Sequence, residues 1–259
     1  MGQRVSIIKP DYGIDAPGVV RALCLSGLAG VLIALLLVVS GLARSALWAF
    51  AANWALWAGL SALVTAGLML WSSKLGKIWE CRRVLNSMPW RGDEIVLDLG
   101  CGRGLFLIEA AKRLTTGKAI GIDIWRGEDQ SGNSPQAVLA NALAEGVANR
   151  VELYTADARR LPLPDASVDV VLSSLVLHNL PTDADREQAL QEIVRVLRPG
   201  GRVVLLDIRY ASLYARLLQQ YGMVDVRRSG PRLLIFPPAS LVTARKPSGN
   251  EVSPVMNMT

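Results

Sequence analysis

The chain has 259 residues, enough for one large domain or two small ones, and 51% of them are apolar with a positive mean hydropathy, which is high for a soluble protein. A net charge of +6 could point to nucleic acid, but the basic residues gather beside the apolar runs and form no aromatic-interleaved patch, so anionic lipid is the simpler partner and no nucleic acid is expected. Three scattered cysteines, Cys24, Cys81 and Cys101, make neither a disulfide framework nor a zinc site, and a single histidine further disfavours metal chemistry.

Residues 22–43 and 46–71 contain no charged side chain. As a helix the first run reaches roughly 33 Å, about the thickness of a bilayer's hydrocarbon layer, and the second is longer. A signal peptide would have a shorter apolar core with no second span so close behind, and a buried soluble hairpin would show polar residues on one helix face. Two transmembrane helices are therefore expected, joined by a tight turn at Arg44 and Ser45. Arg4, Lys9 and Arg21 precede the pair and Lys74, Lys77, Arg82, Arg83 and Arg91 follow it, against Arg44 alone at the turn, which puts both flanks in the cytoplasm. Trp48, Trp54, Trp57 and Trp71 fall toward the ends of the second span, as interfacial indoles do.

Residues 73–92 follow with Leu75, Ile78, Trp79, Leu85 and Met88 at near-helical spacing among basic residues. That pattern reads as an amphipathic helix, either lying at the membrane surface or packed as the first helix of the next domain. From residue 93 to 247 short apolar runs alternate with helical stretches. Strands are expected at 95–99, 119–124, 151–154, 168–173 and 203–208, and helices at 105–114, 135–145 and 183–197, with Ser134 and Thr182 as N-caps. A helix at 211–221 and a hairpin of strands at 224–227 and 241–245 close the domain. The fold class is α/β, a Rossmann-like doubly wound sheet, mostly parallel with an antiparallel last strand, whose ligands bind at the carboxyl ends of the strands. The first 72 residues make the N-terminal segment and anchor, and residues 248–259 read as a disordered tail.

The strongest local signal is Val96-Leu97-Asp98-Leu99-Gly100-Cys101-Gly102-Arg103-Gly104, a strand opening through glycines into a helix. Glycines let backbone approach a ligand closely. A dinucleotide fingerprint would place a third glycine where Leu105 stands, and it would gain nothing from the carboxylate of Asp98. A ligand carrying an ammonium and a sulfonium would gain from that charge.

These motifs, in this order, resemble the class I S-adenosylmethionine-dependent methyltransferases, most closely the broad group (type 11) that includes ubiquinone and menaquinone C-methyltransferases. The resemblance covers about residues 77–246. It implies that Asp98, Gly100, Cys101, Gly102 and Gly104 wrap the methionine part of the cofactor S-adenosylmethionine, that Asp123 bonds the ribose hydroxyls with Ile124 beside it, and that Asp157 and Ala158 meet the adenine edge. It further implies that Ser173 and Ser174, ending the fourth strand, face the methyl group. A carboxylate at a strand end suits a cis-diol because it accepts two donors at once; a helix cap or surface acid is the plainer role for Asp123, and a turn the plainer role for Asp157.

The pattern departs from that family after Asp123. Residues 125–134 are an apparent insertion that could form a lid over the ribose, with Trp125 stacked on adenine, or could be a longer surface loop. His178 falls just past the fourth strand as a candidate catalytic base or as a wall of the site, since methyl transfer depends mostly on alignment and a base is optional. The sequence thus predicts methylation of a hydrophobic or membrane-associated small molecule, lipid-like or quinone-like, on the cytoplasmic face. Alternatives are a tethered methyltransferase for a soluble small molecule or thiol, a non-catalytic cofactor-binding scaffold, and a nicotinamide oxidoreductase. Oligomeric state leaves no mark on the sequence.

Overall fold

A computed structural model describes residues 9–248 and Glu251. Arg4 of the basic N-terminal flank and most of the expected tail therefore lie outside the described residues. Two helices long and apolar enough to cross a membrane come first, α1 (Pro17–Val39) and α2 (Ala46–Trp71). Helix α1 starts five residues before the uncharged run because Pro17 takes its first position, where a missing N–H costs nothing, and Arg21 is absorbed into the opening turns. It ends at Val39, ahead of the expected boundary, where Gly41 turns the chain at φ +78°.

The two helices pack along a seam of small residues seven apart, Gly27 and Ala34 on α1 against Ala52, Gly59 and Ala66 on α2. A Cβ on Gly59 would stand 2.7 Å from the carbonyl oxygen of Gly27, so the backbones touch there. Outward, Leu28, Leu36, Trp54 and Trp57 are each more than half exposed, an apolar surface with no protein against it.

Helix α2 runs without a break through a π turn at Ser72–Gly76 into α3 (Lys77–Asn86). This stretch packs as the first helix of the next domain on one face and leaves another face exposed. Cys81, Val84 and Leu85 are buried on the α/β domain, whereas Leu75 and Trp79 stay exposed beside Trp71, which meets Trp79 edge to face at 6.1 Å.

The remaining elements are β1 (Ile95–Leu99), α4 (Leu105–Ala111), β2 (Lys118–Asp123), α5 (Pro135–Ala144), β3 (Val151–Thr155), β4 (Val168–Ser174), α6 (Asp183–Val196), β5 (Leu197–Asp207), α7 (Ala211–Gln220), β6 (Val224–Arg232) and β7 (Ala239–Arg245). They form one seven-stranded sheet in the order β3-β2-β1-β4-β5-β7-β6, with β1 to β5 parallel and β7 antiparallel to both neighbours. Strand β5 begins at Leu197 rather than at residue 203, because Leu197 already pairs with Val168 of β4, and after an irregularity spanning residues 198–201 the pairing resumes at Arg202. The strand order reverses between β1 and β4, and the crevice at their carboxyl ends is where such sheets bind ligands. Two apolar layers sandwich the sheet, one under α3 to α5, including Leu107 and Ile108, the other under α6 and α7, including Leu190 and Tyr214.

Candidate active site

One cavity opens at that crevice, and the loop after β1 forms its floor. Gly100 adopts φ +69°, and a Cβ there would fall 2.2 Å from Val176, so the loop after β4 presses directly on the glycine turn. Asp98, one turn of chain earlier, is 2% exposed and accepts a hydrogen bond at 2.8 Å from the N–H of Leu107 at the start of α4. Burial pushes its carboxyl up to about 7, and the nearby Asp123 adds to the rise.

At the end of β2, Asp123 Oδ2 accepts from the N–H of Gly102 at 2.8 Å, and Oδ1 from the N–H of Trp125 at 2.7 Å and more weakly from Asn133 Nδ2 at 3.4 Å. The carboxylate of the second strand is thereby stitched to the glycine turn of the first. Asn133 Oδ1 is buried without a partner on the cavity wall, an acceptor left over for a donor from outside the protein.

Asp98, Gly100, Cys101, Gly102, Asp123, Ile124, Asp157, Ala158, Ser174 and His178 all line this single cavity. Three expected cofactor contacts do not. Gly104 turns the chain into α4 at φ +84° against Val138, away from the cavity. Ser173 is 3% exposed and paired between β1 and β5, leaving Ser174 to reach the opening. Trp125, a candidate for stacking on the adenine, is not on the wall: its indole N–H donates to Thr155 Oγ1 at 2.7 Å at the end of β3, and Ile124 lines the cavity. Asp157 is gripped by the Arg159 guanidinium, with contacts of 3.0 and 2.7 Å, which holds its carboxyl below the usual range.

Residues 11–16, counted in the sequence with the N-terminal segment and anchor, lie against the α/β domain. Asp11 N–H donates to Asn141, Ile14 N–H to Ser131, and Asp15 bridges Gln130 in the loop after β2. Gln130 in turn accepts from Arg103 N–H at 2.7 Å, so the inserted loop 125–134 clips this strap to the glycine turn. Tyr12, Asp15 and Ala16 thereby become part of the cavity wall. Lys77 holds the strap from below, donating to the carbonyl of Tyr12 at 2.7 Å and to Asp15 Oδ1 at 2.9 Å; burial draws its ammonium below the usual lysine value.

Residues 97–205 match the family model described as "Methyltransferase domain". The chain carries a methyltransferase domain. A solved S-adenosylmethionine dependent methyltransferase from Mesorhizobium loti shares the fold (TM-score 0.50, 21% identity, 65% of this chain and 97% of that one), so S-adenosylmethionine is the cofactor against which the site is compared. The residues present suit it: a glycine turn on the cavity wall with no side chain at Gly100 or Gly102, an orphaned acceptor in Asn133, and carboxylates at two strand ends, matched to an ammonium and a diol. When bound, it supplies a methyl group on a positively charged sulfur.

Among curated relatives, 27-O-demethylrifamycin SV methyltransferase of Amycolatopsis mediterranei is 38% identical over 128 residues, 48% of this chain and 42% of its own length. Demethylmenaquinone methyltransferase of Lactiplantibacillus plantarum is 41% identical over 115 residues, 43% and 44% of the two chains. The chain thus spans about half the length of these relatives or less. Two other solved structures share the fold: the cyclase SpnF (TM-score 0.57, 19% identity, 68% of this chain and 84% of that one) and phosphoethanolamine N-methyltransferase 1 of Haemonchus contortus (TM-score 0.55, 19% identity, 73% and 47%). A cyclase and a methyltransferase on one methyltransferase-domain architecture illustrate that fold alone does not assign the reaction.

Proposed function

We propose that this protein transfers a methyl group from S-adenosylmethionine to an apolar, membrane-resident small molecule, with its catalytic domain on the cytoplasmic face of the membrane. The observation that carries the reading is the reach of the cavity. The same cavity is lined by the glycine turn and Asp123, by Met69 of α2 and Ser72 of the turn after it, and by Ile235, Phe236 and Pro237 in the loop between β6 and β7. That loop is fastened to the same helix junction, since Phe236 N–H donates to Ser72 Oγ at 2.9 Å and a Cβ on Gly76 would collide with the carbonyl of Leu234.

A molecule dissolved among the lipid tails next to α2 would meet this apolar opening without crossing water, an economy for any acceptor whose solubility in water is low. Exposed Leu75, Trp79 and Leu233 surround the same junction, and basic Lys74, Arg82 and Arg83 flank them, a pairing suited to the interface of an anionic bilayer. By their names, two relatives act on demethylmenaquinone and on demethylrifamycin, acceptors of the small-molecule kind proposed here.

Full-length protein in bilayers, given radiolabelled methyl donor and a membrane extract, should place label in the fraction extracted by organic solvent. Label confined to water-soluble products would favour the tethered enzyme for soluble acceptors instead.

A further inference from the structure

Asn133 stands near the end of the inserted loop, one residue ahead of Ser134, which caps α5 by accepting from the N–H of Ala137 at 3.2 Å. The loop before it is pinned as well. Arg103 Nη1 donates to the carbonyls of Ser131 and Gly132 at 3.2 and 3.1 Å, and the N–H of Asn133 donates to the carbonyl of Gln130 at 3.3 Å. Held from both sides, the Asn133 side chain turns back to the end of β2, ten positions earlier, and forms part of the cavity wall.

The neighbours decide which way the carboxamide points. Its Nδ2 faces two acceptors, Asp123 Oδ1 at 3.4 Å and the carbonyl of Arg126 at 3.5 Å. The flipped amide would set an oxygen against both, so the nitrogen belongs there and Oδ1 is turned to the other side. That oxygen is buried and has no partner. Buried polar atoms in that condition are rare, because each has given up its hydrogen bonds to water, and one on a cavity wall marks a place for a donor carried by a ligand.

Asp123 has little accepting capacity to spare. Its Oδ2 already accepts from Gly102 N–H at 2.8 Å, and its Oδ1 from Trp125 N–H at 2.7 Å and from Asn133. A carboxylate offers about four acceptor positions, so roughly one stays open. A vicinal diol brings two O–H donors. One can take the open position on Asp123, and the other needs a second acceptor close by, which the same carboxamide that touches Asp123 supplies through Oδ1.

Resting on the reading of the site as one for S-adenosylmethionine, we propose that Asn133 is a cofactor-binding residue, its Oδ1 accepting from one ribose hydroxyl while Asp123 accepts from the other. The inserted loop is then part of the cofactor site and selects ribose over deoxyribose. The bond satisfies an oxygen that the empty protein leaves bare, so its loss is felt more than that of a contact shared with water.

The test is calorimetric titration of the full-length protein with S-adenosylhomocysteine, its 2′-deoxy and 3′-deoxy forms, and the inosine form in which a carbonyl replaces the adenine amine. The unaltered protein should bind one of the deoxy forms about tenfold more weakly than the parent compound. Asn133→Ala should bind the parent compound about tenfold more weakly and should treat that deoxy form and the parent compound alike, since the contact is already gone. Asn133→Ser, too short to present an oxygen at the same place, repeats the cycle should the unfolding midpoint show that the alanine variant does not fold. Losses that simply add, or an unaltered protein that binds both deoxy forms as tightly as the parent compound, would overturn the proposal. So would coupling of Asn133 to the inosine form in place of a deoxy form, which would assign the oxygen to the adenine amine. No heat from the unaltered protein with S-adenosylhomocysteine would remove the cofactor reading itself, a failure distinct from binding that ignores Asn133.

Discussion

Lys77 Nζ lies 2.9 Å from Asp15 Oδ1, with the lysine side chain only 7% exposed, and this pair ties the strap ahead of α1 to the helix that continues α2. The chain entering α1 and the chain leaving α2 are thus fastened together beside the cavity, where Ser73 also donates to Asp15 at 3.3 Å.

Removing one partner of that pair should release the strap. Lys77→Met leaves Asp15 uncompensated, and because Asp15 keeps 28% of its side chain exposed the loss should fall below the ~3–5 kcal/mol of a fully buried pair. Amide exchange at Gly13, Ile14 and Ala16 should quicken while the β1 and β4 amides keep their protection. Unaltered exchange in the strap would show that Lys77 does not hold it.

Asp98 should make cofactor affinity depend on pH. Its folded value of about 7 lies above the ordinary aspartate value of 3.8, so the native empty protein binds a proton that the unfolded chain has lost between these limits. Stability of the empty protein should therefore fall as pH rises through that window and level off above about 7. An ammonium-bearing ligand favours the ionised carboxylate, so affinity for S-adenosylhomocysteine should rise from pH 5 to about 7 with a slope of no more than tenfold per unit, then flatten. Calorimetry in buffers of different ionisation heat should register proton release at the acid end. Asp98→Asn should abolish both the slope and the release.

Two glycines give a matched contrast. Gly100→Ala must fit a Cβ 2.2 Å from Val176 on backbone at φ +69°, where strain alone costs about 1–2 kcal/mol. It should lower the midpoint of unfolding and weaken cofactor binding together. Gly127→Ala meets open space and should stay within about 0.5 kcal/mol of the parent in chemical denaturation.

The helix hairpin should be separable from the cofactor site. Gly59→Leu drives a side chain into the backbone of Gly27 and should part α1 from α2, reducing disulfide cross-linking between cysteines introduced at Ala34 and Ala52. Binding of S-adenosylhomocysteine should persist, while turnover on membrane extract falls. Loss of both to the same degree would contradict a division of labour between hairpin and domain.

Much of this architecture was legible in the sequence because its signals are local. Uncharged runs bracketed by basic residues marked α1 and α2, and Asp98 to Gly104 marked the turn that begins the cavity. The strap was not legible: residues 9–16 have no periodicity, and their partners, such as Asn141 and Ser131, lie more than a hundred positions away. Asn133 was missed for a different reason. It is one polar residue among several in the inserted loop, and only the folded loop brings its side chain back to Asp123, ten positions earlier. For Trp125 the sequence left a stacked lid and a plain surface loop both open, and only the positive φ of 60° at that residue and the Thr155 hydroxyl at the end of β3 set where its ring lies.

The central claim is that the glycine turn and its two strand-end carboxylates hold a sulfonium nucleoside, and calorimetric titration of the full-length protein with S-adenosylhomocysteine tests it most directly. Saturable one-to-one binding that is weakened by Asp123→Ala and is absent with NADH is the predicted result. No heat with S-adenosylhomocysteine, or saturable heat with NADH in its place, would contradict it.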